Sequence, residues 1–262
     1  STSTDFPLPQ GHDLNDMILL EEHVVLLTEL GAWIAERDAE SIDDSGDWTY
    51  FQGRYTAGAV LQTDGSDDYV IALGHGGFGS VFQINQQTIT QYEVGDGIAD
   101  NMNLGNATAT SITHVDVSNG ALTLFVGTNV GLFSVETASA RDASVPNWLF
   151  YYSLEPTTIL SNIDNLRTIG SGGGGNPASV NAILADGPSG GESQVLWIGT
   201  ESGLHKYDLI SGLLVYGGDY EHQGGDGVSV NKANQIHSLH STGSQIIVGS
   251  AWGMWSISGG YS

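Results

Sequence analysis

The chain has 262 residues, 40% of them apolar, enough to bury the core of one large all-β domain. Thirty acidic residues against six basic ones give a formal charge of −24, a surface that repels phosphate backbones and anionic lipid, so nucleic acid is excluded as a partner. No apolar run approaches the ~20 residues of a membrane-spanning helix, so no membrane insertion is expected, and the absence of cysteine removes disulfides and thiol chemistry.

Ser1-Thr2-Ser3-Thr4-Asp5 shows neither a signal-peptide pattern nor an initiator Met, which reads as a mature or trimmed chain. An acidic, Lys-poor, Cys-free composition suits a secreted or otherwise extracytoplasmic protein of a salty, marine or halophilic medium. Divalent cations, neutral carbohydrate and basic proteins remain acceptable partners.

One pattern recurs along the chain: an apolar strand, a small residue with Thr or Ser, two variable residues, Gly, and a second apolar strand. In chain order it appears at Val25–Trp33, at Ile71–Gly79 with one extra residue, at Leu124–Phe133, at Val195–Leu204 and at Ile246–Trp255. Each copy predicts a β-hairpin, with Gly supplying the turn. A spaced apolar pair precedes each hairpin and predicts an inner strand: Met17/Leu20, Ala57/Val60, Ile112/Val115, Val180/Ile183 and Ile236/Leu239. Aromatic residues after four of them predict outer strands at Tyr50-Phe51, Tyr92, Phe150-Tyr151-Tyr152 and Val215-Tyr216.

Four strands per unit make a propeller blade, so the expected fold is a single five-bladed β-propeller of four-stranded antiparallel blades spanning 1–262. With Thr28, His75, Thr128, Thr200 and Ser250 taken as equivalent, the intervals are 47, 53, 72 and 50 residues. The 12 residues after Ser250 and the 28 up to Thr28 together make 40, about one repeat. Thr4-Asp5-Phe6-Pro7-Leu8 is therefore expected to supply the outer strand of the last blade and close the ring, which removes an exposed sheet edge. The longest interval holds Gly170-Ser171-Gly172-Gly173-Gly174-Gly175, a loop by composition and not a phosphate loop, because no Lys-Ser/Thr follows.

Leu196-Trp197-Ile198-Gly199-Thr200-Glu201-Ser202-Gly203-Leu204, continuing to Lys206-Tyr207-Asp208, resembles the two-component regulator propeller repeat. Gly95-Asp96-Gly97-Ile98 and Gly225-Asp226-Gly227-Val228 resemble the segments between its blades. The resemblance implies periplasmic sensor propellers, hence an extracytoplasmic ligand-binding module. It brings no catalytic residues, and no kinase or membrane helix accompanies it here.

In such a ring the hairpin turns and inter-blade loops share one end of the central channel, the expected ligand face. The turns place Glu29, His75, Asn129, Glu201 and Trp252 there, and the loops add His12, Asp13, Asp96, Asp100, His222 and Asp226. A Trp beside carboxylates and His suits a sugar, a cation or a protein side chain. The plain alternative is that these are solvated turn residues.

No cofactor is expected. Calcium is the one metal with a candidate, in the carboxylate-rich turns Asp43-Asp44-Ser45-Gly46-Asp47 and Asp64-Gly65-Ser66-Asp67-Asp68, which otherwise read as polar turns and lack the terminal Glu of an EF-hand loop. His237 and His240 fall on opposite faces of a strand and predict no zinc site. No nucleophile motif is present, so the leading expectation is a non-enzymatic binding or interaction module. The competing classes are a glycoside hydrolase or lyase using carboxylates or His on the same face, and a structural piece of a larger secreted or virion assembly.

Overall fold

The computed structural model describes residues 13–37, 47–64, 67–75, 79–94, 107–116, 122–136, 157–158, 179–187, 194–201, 203–211, 213–215 and 235–258. These form nineteen β-strands and no α-helix. The strands make five antiparallel sheets, each a meander in which sequence neighbours pair.

Sheet 1 contains β1 (Leu14–Leu19), β2 (His23–Thr28), β3 (Gly31–Glu36) and β4 (Thr49–Gln52). Sheet 2 contains β5 (Ala57–Asp64), β6 (Asp67–Leu73), β7 (Gly79–Ile84) and β8 (Ile89–Val94). Sheet 3 contains β9 (Ala109–Asp116), β10 (Leu122–Thr128), β11 (Gly131–Glu136) and β12 (Thr157–Thr158). Sheet 4 contains β13 (Val180–Asp186), β14 (Val195–Thr200), β15 (Gly203–Asp208) and β16 (Leu213–Val215). Sheet 5 contains β17 (Ile236–Ser241), β18 (Gln245–Ser250) and β19 (Gly253–Ser258), three strands among the described residues.

The expected inner strands and hairpins are all present, outer strands β4 and β8 fall on Tyr50-Phe51 and Tyr92, and β16 reaches Val215, with Tyr216 outside the described residues. The fourth differs: β11 pairs with Thr157–Thr158, and Phe150 to Tyr152 lie outside the described residues. The closing segment Thr4 to Leu8 also lies outside them.

In sheets 1 to 4 the second strand carries an apolar run buried on both faces, whereas in β18 of sheet 5 only Ile246 and Val248, on the side toward sheet 4, are fully buried. In β14, Leu196 and Ile198 pack with Val115 and Phe125 of sheet 3, whereas Val195 and Trp197 pack with Ile236, Ile246 and Val248 of sheet 5. Sheets 1 and 2 meet the same way through Val25, Leu27 and Ile34 against Val70 and Phe82. Sheets 2 and 3 meet through Leu61, Ile71 and Leu73 against Ile112, Leu124 and Val126. Each such side chain contributes about 1.5–3 kcal/mol relative to exposure, so four stacked interfaces hold the five sheets in series.

The first strands β1, β5, β9, β13 and β17 lie side by side in that order, and no comparable packing joins β17 to β1 among the described residues. The outer face of sheet 1 carries Met17 and Leu19, opposite Leu26 and Val24 in the register, and these two are 52% and 58% exposed. On the far face of sheet 5, Met254 is 76% exposed.

Candidate functional site

The turn between second and third strands is built by one local device. In sheets 1, 3, 4 and 5 the last residue of the second strand is Thr or Ser, and its hydroxyl donates across the turn to a glycine carbonyl. The bonds run from Thr28 to Gly31 (2.9 Å), Thr128 to Gly131 (2.8 Å), Thr200 to Gly203 (3.0 Å) and Ser250 to Gly253 (3.0 Å). In sheets 1, 3 and 5 the same oxygen also accepts the N–H two residues on. Gly131, Gly203 and Gly253 have φ of 129°, 147° and 151°, which a Cβ disfavours. The hydroxyl and glycine of the repeat therefore close the turn, and the two residues between them are left to face outward.

Sheet 2 departs from this. Its register pairs Leu73 with Gly79, so Leu73 holds the hydroxyl's position and five residues, 74–78, replace the usual two. His75 is therefore a loop residue and not the counterpart of Thr28, which corrects the equivalence used to measure the repeat.

The turns share one end of the molecule. The first residue of each inner strand pairs with the end of the second strand, as in Val180 with Thr200 and Ile236 with Ser250. The starts of successive inner strands are in turn bonded to one another. Asn15 Nδ2 donates to Tyr55 O (2.8 Å), Thr56 Oγ1 to Ala109 O (2.6 Å), Thr110 Oγ1 to Val180 O, and Asn181 Nδ2 to Ile236 O (2.9 Å). Asn15, Thr110 and Asn181 are each skipped in the strand register. The extra residue of a β-bulge re-aims its side chain, here across to the next sheet. His237 is skipped likewise, and its side chain makes no hydrogen bond among the described residues.

At this end Glu29, His75, Asn129 and Glu201 are exposed, and Trp252 is 48% exposed. Two are brought together. His75 Nδ1 lies 3.0 Å from Thr108 Oγ1, Thr108 N donates to Asn129 Oδ1 at 2.9 Å, and Asn129 N donates to Thr108 O at 3.2 Å. Thr108, which ties sheet 2 to sheet 3 here, was not legible in the repeat because it lies just ahead of β9. Asp13 is exposed beside β1, while His12, Asp96, Asp100, His222 and Asp226 lie outside the described residues.

A half-buried carboxyl and a buried imidazole support this end. Asp16 accepts Gly58 N at 2.9 Å across sheets 1 and 2, and burial raises its carboxyl pKa against the lowering effect of that bond. Beneath the Thr200 turn, His205 is 3% exposed; desolvation lowers its pKa to about 4, and its Nδ1 has no partner among the described residues. Among the described residues no group of three His, Asp or Glu side chains could hold a metal ion. Of the calcium candidates, Asp67 is engaged by Gln83 Nε2 (2.7 Å) and Tyr69 OH (3.3 Å), the behaviour of a polar turn, and Asp43 and Asp44 lie outside the described residues.

No protein-family model matches this chain, and no curated protein matches it. Among solved structures it is similar to two extracellular domains from B. thetaiotaomicron, each described as that of a hybrid two component system. To BT4673 it is 16% identical, covering 95% of this chain and 34% of that one with a TM-score of 0.47. To BT3049 the values are 15%, 97%, 28% and 0.49. A third similar chain belongs to an S. cerevisiae assembly of dbp5 with nup159 and gle1, at 7% identity, 94% and 65% coverage and a TM-score of 0.47. The chain thus spans about a third of the length of the two bacterial structures.

Proposed function

We propose that the five sheets are the blades of one closed propeller, of the kind the two-component regulator repeat implies, serving as a non-enzymatic extracytoplasmic binding module. Its ligand, a carbohydrate, a cation or a protein side chain, sits on the turn end. The observation that carries the reading is the separation of roles at the turns. In sheets 1, 3, 4 and 5 Thr or Ser and Gly close the loop, and the residues between them differ from sheet to sheet on an equivalent frame: Glu29, Asn129, Glu201 and Trp252. An asymmetric ligand needs such unlike groups on one rigid frame.

Closure is supported by the series of bulged residues. His237 stands where Asn15, Thr110 and Asn181 stand, with no next sheet to receive it among the described residues, while apolar Met17, Leu19 and Met254 are left exposed on the two end faces. The same exposed faces favour a second reading, a structural piece of a larger secreted or virion assembly in which further blades cover them.

Titrating neutral glycans and Ca²⁺ into the wild type, Trp252→Ala and Glu201→Ala tests the site. Binding to the wild type that is lost in both variants at unchanged melting temperature is the expected result. Failure of every probe to bind the wild type would overturn the turn-end site.

A further inference from the structure

Two adjoining hollows lie at the end opposite the turns, between sheets 1 and 2, with volumes of about 370 and 420 Å³. One is walled by His23, Glu36, Asp47 and the β7–β8 turn, the other by Glu21, Glu22, Glu36 and Arg37, and His23, Glu36 and Gln86 belong to both. Among the described residues four carboxylates and one guanidinium line the two hollows, a formal charge of −3. That guanidinium is directed at backbone: Arg37 Nη1 donates to Leu20 O at 2.9 Å and to Glu21 O at 3.4 Å.

The walls are fixed. Gln86 Nε2 donates to both carboxylate oxygens of Glu22, at 3.0 and 2.9 Å, joining a turn of sheet 2 to a turn of sheet 1. Asn85 Oδ1 holds the β7–β8 turn by accepting Gln87 N at 2.9 Å and Thr88 N at 2.8 Å.

A second feature points to a ligand. His23 is only 4% exposed, lines both hollows, and makes no side-chain hydrogen bond among the described residues. A buried imidazole is ordinarily hydrogen-bonded, and here the surface it retains faces the cleft. No three His, Asp or Glu side chains among the described residues converge enough for a metal ion, and the combined space suits a small organic molecule.

We infer that this cleft binds a small organic cation bearing a guanidinium or ammonium group, paired with Glu22 and Glu36 and hydrogen-bonded to His23. The site is independent of the turn end and stands or falls separately from the proposed function.

Agmatine titrated into the whole chain at low ionic strength, followed by calorimetry and by the histidine ring signals in NMR, tests it. The inference expects one saturable site, a shift of the His23 resonances, and affinity at least ~10-fold weaker in Glu22→Gln/Glu36→Gln. Glu29→Gln/Glu201→Gln removes the same charge from the exposed turns at the opposite end and is expected to change affinity by less than about 2-fold, the scale of a distant screened charge. Absence of saturation by ~10 mM agmatine, beyond the millimolar class of weak specific binding, would overturn the inference. Equal weakening in the two double variants would overturn it too, since that is diffuse attraction to an acidic surface.

Discussion

The glycine before the turn hydroxyl is where the stacking of sheets can be tested with one methyl group. A Cβ on Gly199 would lie 2.4 Å from Ile236 Cγ2 and 2.9 Å from Ile236 Cβ, in the next sheet. Gly127 is equivalent, its Cβ meeting Val180 Cγ1 at 2.8 Å and Val180 O at 3.1 Å. Ile236 and Val180 are fully buried and β-branched, so neither can swing aside. Overpacking of this kind costs about 1–3 kcal/mol, and the stiffer unfolded chain returns ~0.4–1 kcal/mol of it. Gly199→Ala is therefore expected to lose about 1–2 kcal/mol, or roughly 2–8 °C in melting temperature for a chain of this size.

At Gly249 the three nearest atoms belong to Ser238, an exposed residue of the same sheet whose Oγ lies 2.2 Å from the added Cβ and can rotate away. In an open series Gly249→Ala is neutral or slightly stabilising; in a closed ring the start of β1 occupies the place of Ile236 and the loss matches that of Gly199→Ala. Differential scanning calorimetry of the three alanine variants gives both answers. A Gly199→Ala protein as stable as wild type would refute the packing argument, and a neutral Gly249→Ala would refute closure.

Thr200→Val keeps the shape of the turn residue but removes the donor to Gly203 O and is expected to cost about 1–3 kcal/mol, with Thr200→Ser near neutral; a neutral Thr200→Val beside a destabilised Thr200→Ser would show that shape, not the hydroxyl, matters. His205 binds a proton more weakly folded than unfolded, so its contribution to stability is complete above pH 6.5 and is lost as pH falls toward about 4. The full loss is about 3 kcal/mol, read as the slope of denaturation midpoint against pH, and an unchanged slope in His205→Leu would remove this residue from the account. The charge of −24 predicts a melting temperature that rises between ~10 and ~500 mM NaCl as screening shortens the Debye length from about 30 to 4 Å, and a flat profile would contradict it.

The parts of the fold legible in the sequence are those set by local chemistry. Thr200 through Gly203 specifies its own turn, and the runs Val195–Thr200 and Gln245–Ser250 carry strand propensity on both faces, so hairpins and repeat order follow directly. Where the local device is missing, the reading slipped. Leu73 replaces the hydroxyl in sheet 2, and the longer loop displaced His75 from its assumed position. The outer strand at Thr157–Thr158 has only two residues and no aromatic to mark it.

The bulges at Asn15, Thr110, Asn181 and His237 share a register position but not one residue type, and their use appears only when the next sheet's carbonyl is in view. At the candidate site the sequence supplied the exposed turn residues but not Thr108, whose part depends on the cross-sheet contact with His75 and Asn129. The opposite cleft was hidden for a related reason. Glu21-Glu22 reads as a plain acidic turn until Gln86, 64 residues later, is seen bonded to Glu22.

The absence of cysteine makes the central claim directly measurable, because paired spin labels can be placed at chosen turns without background. Labels at Asn129 and Glu201, and at Glu201 and Trp252, calibrate the spacing between turns of neighbouring sheets. Labels at Glu29 and Trp252 then span the two ends of the series. By double electron–electron resonance a closed five-bladed ring gives a narrow Glu29–Trp252 distance matching the two neighbour pairs. A distance clearly longer than both would contradict the ring and leave the five sheets as an open piece of something larger.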